Sequence, residues 1–176
     1  MHKFICISGC TASGKSSFAI ELSDYFENPV IINADALQVY DCWKILTDRP
    51  TEKKTMHDLY GHVSCHVNYS VGDWIKDVKN IFDLYSKSSK TFIFVGGTGL
   101  YFSALLNGLS QIPQIPEEIR DFANSCDLSF FLEGLNMNDP GILEKIDTNN
   151  RRRVQRAWEV LEATGKSILY LSLIHI

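Results

Sequence analysis

Short, unbroken apolar runs alternate with helix-periodic stretches through the first part of the chain, and after residue 108 the pattern is helical without another strand. Phe4–Ile7 reads as a fully buried strand. A glycine-rich turn comes next, then a helical pattern from about Lys15 to Phe26. Pro29 breaks that pattern, and Val30–Ile32 reads as a second buried strand. Val71, Trp74, Ile75, Val78, Ile81, Phe82 and Tyr85 recur at three- and four-residue spacing, which predicts an amphipathic helix over residues 70–85. Ser70 and Asp73 form a capping-box pattern at its start. Thr91–Val95 is a third buried strand, and Gly96, Gly97, Thr98 and Gly99 turn it into another helix. Buried strands separated by helices predict a parallel sheet covered on both faces.

Beyond Gly108 the texture changes. Pro113 and Pro116 interrupt, and the remainder is helical pattern over residues 117–124, 128–135, 140–146 and 150–163. The expected organisation is an α/β core over residues 1–110 with a three-stranded sheet, then a helical segment over 111–176. Thr164–Lys166 reads as a helix stop, after which residues 168–176 are apolar to the end of the chain.

Hydrophobic residues make up 45% and the net charge is −4, so the chain can bury a core but shows no bulk affinity for nucleic acid. Any basic surface must be local. Cys6 sits in an apolar run and Cys10 in a glycine-rich loop, which suits reduced thiols better than a disulfide framework. The run after Lys3 is too short for a signal peptide, and no stretch approaches the roughly 20 apolar residues that span a bilayer. A cytoplasmic protein without membrane attachment is expected.

Chemistry concentrates at the strand ends. Gly9, Cys10, Thr11, Ala12, Ser13, Gly14, Lys15 and Ser16 fit G-x-x-x-x-G-K-[ST] between a strand and a helix, the phosphate-binding (P-loop) pattern. Glycines let the backbone wrap an anion, Lys15 adds a mobile charge, and Ser16 offers a hydroxyl to Mg²⁺. The motif specifies a diphosphate or triphosphate but not the reaction. Asp35 follows the second strand, on the side where an α/β sheet binds ligands, and can accept a proton there. The plainer alternative is a helix N-cap. The third strand ends in glycines with no carboxylate for Mg²⁺, which argues against ordinary nucleotide hydrolysis. Those glycines either admit a close approach to the backbone or simply make a tight turn. Arg151, Arg152, Arg153 and Arg156 open the last long helix, where positive charge opposes the helix dipole unless a polyanion binds. Read alone, they equally fit a solvated face.

Taken in order, GCTASGKS (9–16), NADALQVY (33–40), LTDRP (46–50), HVNYSVGDW (66–74), VGGTGLYFSALLNGLSQIP (95–113) and NNRRRVQRAWEVLEATGKS (149–167) resemble the tRNA dimethylallyltransferase (tRNA isopentenyltransferase) family. The resemblance implies a P-loop NTPase-like parallel sheet flanked by helices. It implies transfer of a dimethylallyl group from dimethylallyl diphosphate to the exocyclic amine of the adenosine 3′ to the anticodon. The loop residues 9–16 would then hold the leaving diphosphate, with Mg²⁺ at Ser16. Asp35, Lys15 and Thr98 would be catalytic. Asp35, Ala36, Leu37, Gln38, Thr98, Arg120, Arg152, Arg153, Val154, Gln155 and Arg156 would meet the tRNA anticodon stem-loop. A monomer is expected.

Three departures stand out. The family more often has Pro where Cys10 stands and Ser where Ala36 stands. It also continues into a further helical region with basic residues, so the chain reads as truncated at its C-terminus, and residues 171–176 match nothing in the pattern. Rival readings are a small-molecule P-loop kinase and an inactive phosphate- or RNA-binding fragment. His57, His62, Cys65 and His66 lie close in sequence but fit no standard zinc spacing. Trp43, Trp74 and Trp158 are expected in the core.

Overall fold

The computed structural model describes residues 2–50, 55–110 and 112–173. The chain divides into two compact units, Met1–Gly108 and Leu109–Ile176. The first is built on β1 (Lys3–Ser8), α1 (Lys15–Ser23), β2 (Pro29–Asn33), β3 (Met56–Asp58), α2 (Val71–Leu84), β4 (Thr91–Gly96) and α3 (Gly99–Asn107). The sheet is wholly parallel in the order β1-β4-β2-β3.

Alternation along the central strands feeds two cores. Val30, Ile32, Phe92 and Phe94 point to one face and pack with Trp74, Val78, Tyr101 and Phe102 of α2 and α3. Ile31, Ile93 and Val95 point to the other and pack with Ala19 of α1. Every residue of β4 is buried, which is why that stretch reads as a solid apolar run.

Two strand expectations are corrected. Among the described residues the sheet has four strands, not three: Met56, His57 and Asp58 carry no apolar run, and pairing with Val30, Ile31 and Ile32 of β2 holds them extended. β1 is not fully buried. It pairs with β4 at one end of the strand order, its residues alternate between exposed and half-buried, and Phe4 is 55% exposed. An apolar run reports on the faces of a strand, not on whether both its edges are paired.

α2 begins with the capping box. Ser70 Oγ accepts from the Asp73 amide at 3.2 Å, and Asp73 Oδ2 accepts from the Ser70 amide at 3.1 Å and from its hydroxyl at 2.6 Å. These donors hold the Asp73 carboxyl below its ordinary value of 3.8. A carboxylate depressed in the fold stabilises it above that ordinary value, and the contribution is lost as pH falls through the lower folded value. Ser70→Ala is expected to cost about 1 kcal/mol at neutral pH. In thermal melts the wild type should lose part of that margin on acidification below 3.8, and more of it than the variant, which keeps only the backbone donor at position 70; parallel acid profiles would mean that the Ser70 hydroxyl does not hold the carboxyl down.

The second unit consists of α4 (Glu117–Ser125), α5 (Leu128–Asn138), α6 (Pro140–Leu143), α7 (Arg151–Thr164) and α8 (Ile168–Leu173). Ala123, Phe131, Leu135, Ile142, Val154, Ala157 and Trp158 form its core. The apolar ending folds as α8 as far as Leu173, and Leu171 packs with Ile115 and Val160; residues 174–176 lie outside the described residues. Among the described residues no helix is long and apolar enough to cross a membrane. Trp74 and Trp158 are core residues as expected, but Trp43 is 41% exposed and leans on Tyr40, ring centroids 6.0 Å apart.

Cys42 and Cys65 form a disulfide, with Cα atoms 6.1 Å apart, against the expectation of reduced thiols throughout. The pairing comes from tertiary structure: Tyr40 bridges Val63, and the Asp41 amide donates to the Val63 carbonyl at 2.9 Å, which brings the two residues together. Cys6, Cys10 and Cys126 are free.

Candidate functional site

At the C-terminal ends of β1 and β2 lies a cavity of about 260 Å³ walled by Thr11–Ser17, Asp35, Leu37, Gln38, Leu46, Thr47, Asp48, Val95 and Gly96. The phosphate loop forms one side. Ala12 and Gly14 both take left-handed backbone, φ 59° and 80°, a combination that turns successive amides inward. α1 starts at Lys15 with no side-chain cap and no acidic residue in its first turn. Its unpaired N–H groups and positive dipole end are left for an anion. Lys15 Nζ donates to the Cys10 carbonyl and lies 3.5 Å from Ser13 Oγ, so its charge sits over the loop.

Asp35 enters the same cavity from β2. Its backbone is set by Asn33, which is fully buried: Asn33 Oδ1 accepts from the Asp35 amide at 2.9 Å, and Nδ2 donates to the carbonyls of Asp35 and Leu59, both at 3.0 Å. Trp74 Nε1 donates to the Asn33 carbonyl at 2.8 Å and ties that strand end to α2. Sequence reasoning assigned Asn33 no role, although a buried amide at a strand end is a positioning signal. Asp35 Oδ1 accepts from the amides of Leu37 and Gln38 at 2.9 and 3.4 Å. Residues 36–39 form a turn and not a helix, so the helix N-cap is not the role of Asp35; one carboxylate oxygen closes that turn while the residue also walls the cavity. A Cβ on Gly97 would sit 3.8 Å from Oδ2 and 3.4 Å from the Gly9 carbonyl, which places that oxygen near the start of the phosphate loop.

The glycines after β4 have a specific use. A Cβ on Gly96 would fall on the carbonyl group of Ala34 and 2.7 Å from the Asp35 amide. The group that comes close is the chain's own backbone. The same approach leaves no room for a metal-binding carboxylate at that position. Thr98 belongs to this scaffold: its amide donates to the Ala34 carbonyl at 3.3 Å and its hydroxyl accepts from the Ala36 amide at 2.9 Å. It bears on the Asp35 turn and is not among the residues walling the cavity.

Burial, reinforced by the Asp35 charge, pushes the Tyr60 phenol well above its ordinary value, and the Tyr101 phenol is pushed up to about 12, mainly by burial. Both stay protonated at neutral pH. The hydroxyls of Ser13, Ser16 and Ser17 and the carboxylates of Asp35 and Asp48 give the cavity hard oxygen donors, the chemistry that suits Mg²⁺.

The helical unit sorts the basic residues. Arg151 Nη2 donates to the carbonyl of Cys126 at 2.7 Å and closes the end of α4. Arg156 lies 3.6 Å from Glu159. Gln155 accepts from Arg151 and donates to Asn124 and Glu159. Val154 is fully buried in the core, so its side chain is not available to an external ligand. The 3.6-residue period accounts for this: position 154 falls on the face of α7 that also carries Ala157 and Trp158. Arg152, Arg153 and Arg120 are exposed. Within the His57–His66 stretch, His62 bonds Tyr69 and Asp77 at 3.2 and 3.3 Å, and Cys65 is in the disulfide.

Comparison with known proteins gives a consistent result. The IPP transferase family model matches residues 38–172. A protein of Ruegeria sp. (strain TM1040) named tRNA dimethylallyltransferase is 46% identical over 167 residues, covering 93% of this chain and 55% of the relative. One of the same name from Bartonella tribocorum is 45% identical over 169 residues, covering 92% and 57%. The chain thus spans about half the length of the curated relatives it matches. Among solved structures, a eukaryotic dimethylallyltransferase acting on tRNA superimposes with TM-score 0.76 at 29% identity, covering 94% of this chain and 43% of that one. A tRNA isopentenylpyrophosphate transferase from Bacillus halodurans gives 0.56 at 29% identity, covering 93% and 56%. The parallel sheet flanked by helices is the P-loop NTPase-like arrangement of these neighbours. With the family model matched across most of its residues, the chain belongs to the IPP transferase family.

Proposed function

We propose that this chain carries the anion-gripping and base-activating part of a tRNA dimethylallyltransferase. The observation that carries the reading is the shared cavity: Thr11–Ser16 of the phosphate loop and Asp35 line one space, with Gly9 and Cys10 outside its wall. The names of the relatives supply the tRNA and the dimethylallyl group, and the phosphate loop favours a diphosphate as the form in which that group arrives.

In the proposed reaction the allylic C–O bond to the diphosphate breaks and a C–N bond forms to the exocyclic amine of the adenosine 3′ to the anticodon. The amine loses one proton to Asp35, and pyrophosphate departs with the electron pair of the broken bond. The loop amides and Lys15 hold the charge that builds on the leaving group, where fixed donors contribute most. Mg²⁺ held at Ser16 would supply further charge neutralisation there. Asp35 orients the amine and takes its proton, while Asn33 and Thr98 fix the backbone on which that carboxylate stands. The target base must leave its stack to reach the cavity. The proposal has the chain working as a monomer in the cytoplasm.

Incubation with dimethylallyl diphosphate, Mg²⁺ and unmodified tRNA, read by nucleoside mass, tests this directly. Prenylated adenosine is the expected product. Phosphate transfer from ATP to a small molecule would replace the reading with a kinase, and binding without product would leave a phosphate- or RNA-binding fragment.

Arg152 and Arg153 are assigned to tRNA phosphates. Each is exposed at the N-terminal end of α7, where its charge opposes the helix dipole. Replacing both with Gln is expected to weaken tRNA binding and to flatten its salt dependence by about one unit of slope per lost phosphate contact. An unchanged slope would return them to a solvated face.

A further inference from the structure

Leu46, Thr47 and Asp48 wall the phosphate-loop cavity, yet they belong to a run of turns with no regular element to fix them. Within that run, the amides of Thr47, Asp48 and Arg49 donate back to the carbonyls of Trp43, Ile45 and Lys44 at 3.1, 3.2 and 3.1 Å. Such bonds shape the turns without deciding where they sit against the cavity. Among the described residues, two side-chain contacts tie the run to the body of the unit. Gln38 Nε2 donates to the Thr47 carbonyl at 2.8 Å, and Arg49 Nη1 donates to the Tyr40 carbonyl at 3.0 Å.

The second contact has a seat made for it. A Cβ on Gly61 would fall on Nη1 and Cζ of Arg49 and 2.8 Å from Nη2, so the guanidinium occupies the space that a side chain at 61 would fill. Gly61 takes φ 58°, and its amide donates to the Gln38 carbonyl at 2.9 Å. Arg49 itself does not line the cavity.

We infer that Arg49 is a positioning residue: seated on the bare backbone of Gly61 and bonded to the Tyr40 carbonyl, it latches the 46–48 wall against the anion site. The inference deepens the proposed function, because it rests on the cavity being the diphosphate site and names what sets its outer wall. Arg is suited to the role because a planar fork can lie against backbone and donate at once, which an ammonium does less well.

The test is a double-mutant cycle on this chain with Arg49→Ala, Gly61→Ala and the pair, plus Arg49→Lys. Hydrogen exchange at the amides of residues 47–49 is read without ligand, and Mg²⁺-pyrophosphate affinity is read by calorimetry. Arg49→Ala and Gly61→Ala should each speed exchange and weaken pyrophosphate by about tenfold, as for one lost hydrogen bond to a charged group. The pair should fall short of the sum of the two single effects, because the displaced guanidinium is counted once while the left-handed strain of an alanine at 61 remains. Arg49→Lys should resemble Arg49→Ala in exchange although it keeps the charge.

Unchanged exchange in Arg49→Ala would overturn the latch. So would an additive pair, which would reduce the glycine effect to left-handed backbone strain, and so would weakened pyrophosphate with normal exchange, which would make Arg49 a direct ligand. Wild-type chain that binds no pyrophosphate would instead remove the diphosphate reading, with the exchange data still judging the latch.

Discussion

Asp35→Asn is expected to lower prenyl transfer by about 10²–10⁴-fold, the range that a positioned general base contributes, with pyrophosphate affinity close to wild type. The substitution is selective for a structural reason. Asparagine keeps an Oδ1 acceptor for the amides of Leu37 and Gln38, so the turn after β2 stays capped. The loss is confined to the charge and proton affinity of the oxygen beside Gly97 and the phosphate loop. Single-turnover transfer measured alongside pyrophosphate titration separates the two. Near-normal turnover would take the base role away from Asp35. Asp35→Ala should lose activity and some stability as well, since it also removes the cap.

The second large effect is expected from Gly96→Ala. The added Cβ would meet the Ala34 carbonyl group and the Asp35 amide, all backbone atoms that cannot rotate away. That strand end is also held by the Ala34 amide, which donates to the Val95 carbonyl at 2.8 Å. Relief requires β2 and β4 to separate where both are buried, at a cost of about 3 kcal/mol or more. Denaturant midpoints would measure it, with Gly99→Ala as the control, since a Cβ there meets nothing within 4 Å. If the two variants melted alike, the close approach at Gly96 would carry no energetic weight. Any Gly96→Ala protein that folds should also misplace Asp35, because the clash falls on its own amide.

Both predictions show how the parts of the site depend on one another. The phosphate loop is local: eight consecutive residues, a strand before and a helix after, with left-handed backbone at Ala12 and Gly14. Asp35 is not. It is placed by Asn33 from its own strand, with Thr98 from the β4–α3 turn holding the next residue and Trp74 of α2 anchoring the Asn33 carbonyl. The arginines in the second unit divide by neighbours in the same way, Arg151 and Arg156 being engaged internally while Arg152 and Arg153 face outward.

Much of this was legible in one dimension because its causes are local. Periodicity set α2 and its capping box, and solid apolar runs marked β2 and β4, since strands buried on both faces are apolar through their middles, with the polar Asn33 and Thr91 at their ends. The P-loop spacing identified the anion site, since backbone wrapping needs glycine at defined positions. Other features needed the third dimension. β3 is polar in sequence and is extended only because β2 offers it a partner. β1 reads as buried but is paired on one side only within the described sheet. Cys42 and Cys65 meet because Tyr40 bridges Val63, and the glycine at 96 is required by the Ala34 backbone, which lies far from it along the chain. Val154 joined a run of basic residues by position, and helical rotation turned it into the core. Local sequence encodes conformations that short-range sterics and hydrogen bonds decide, whereas contacts between distant segments exist only once the sheet has assembled them.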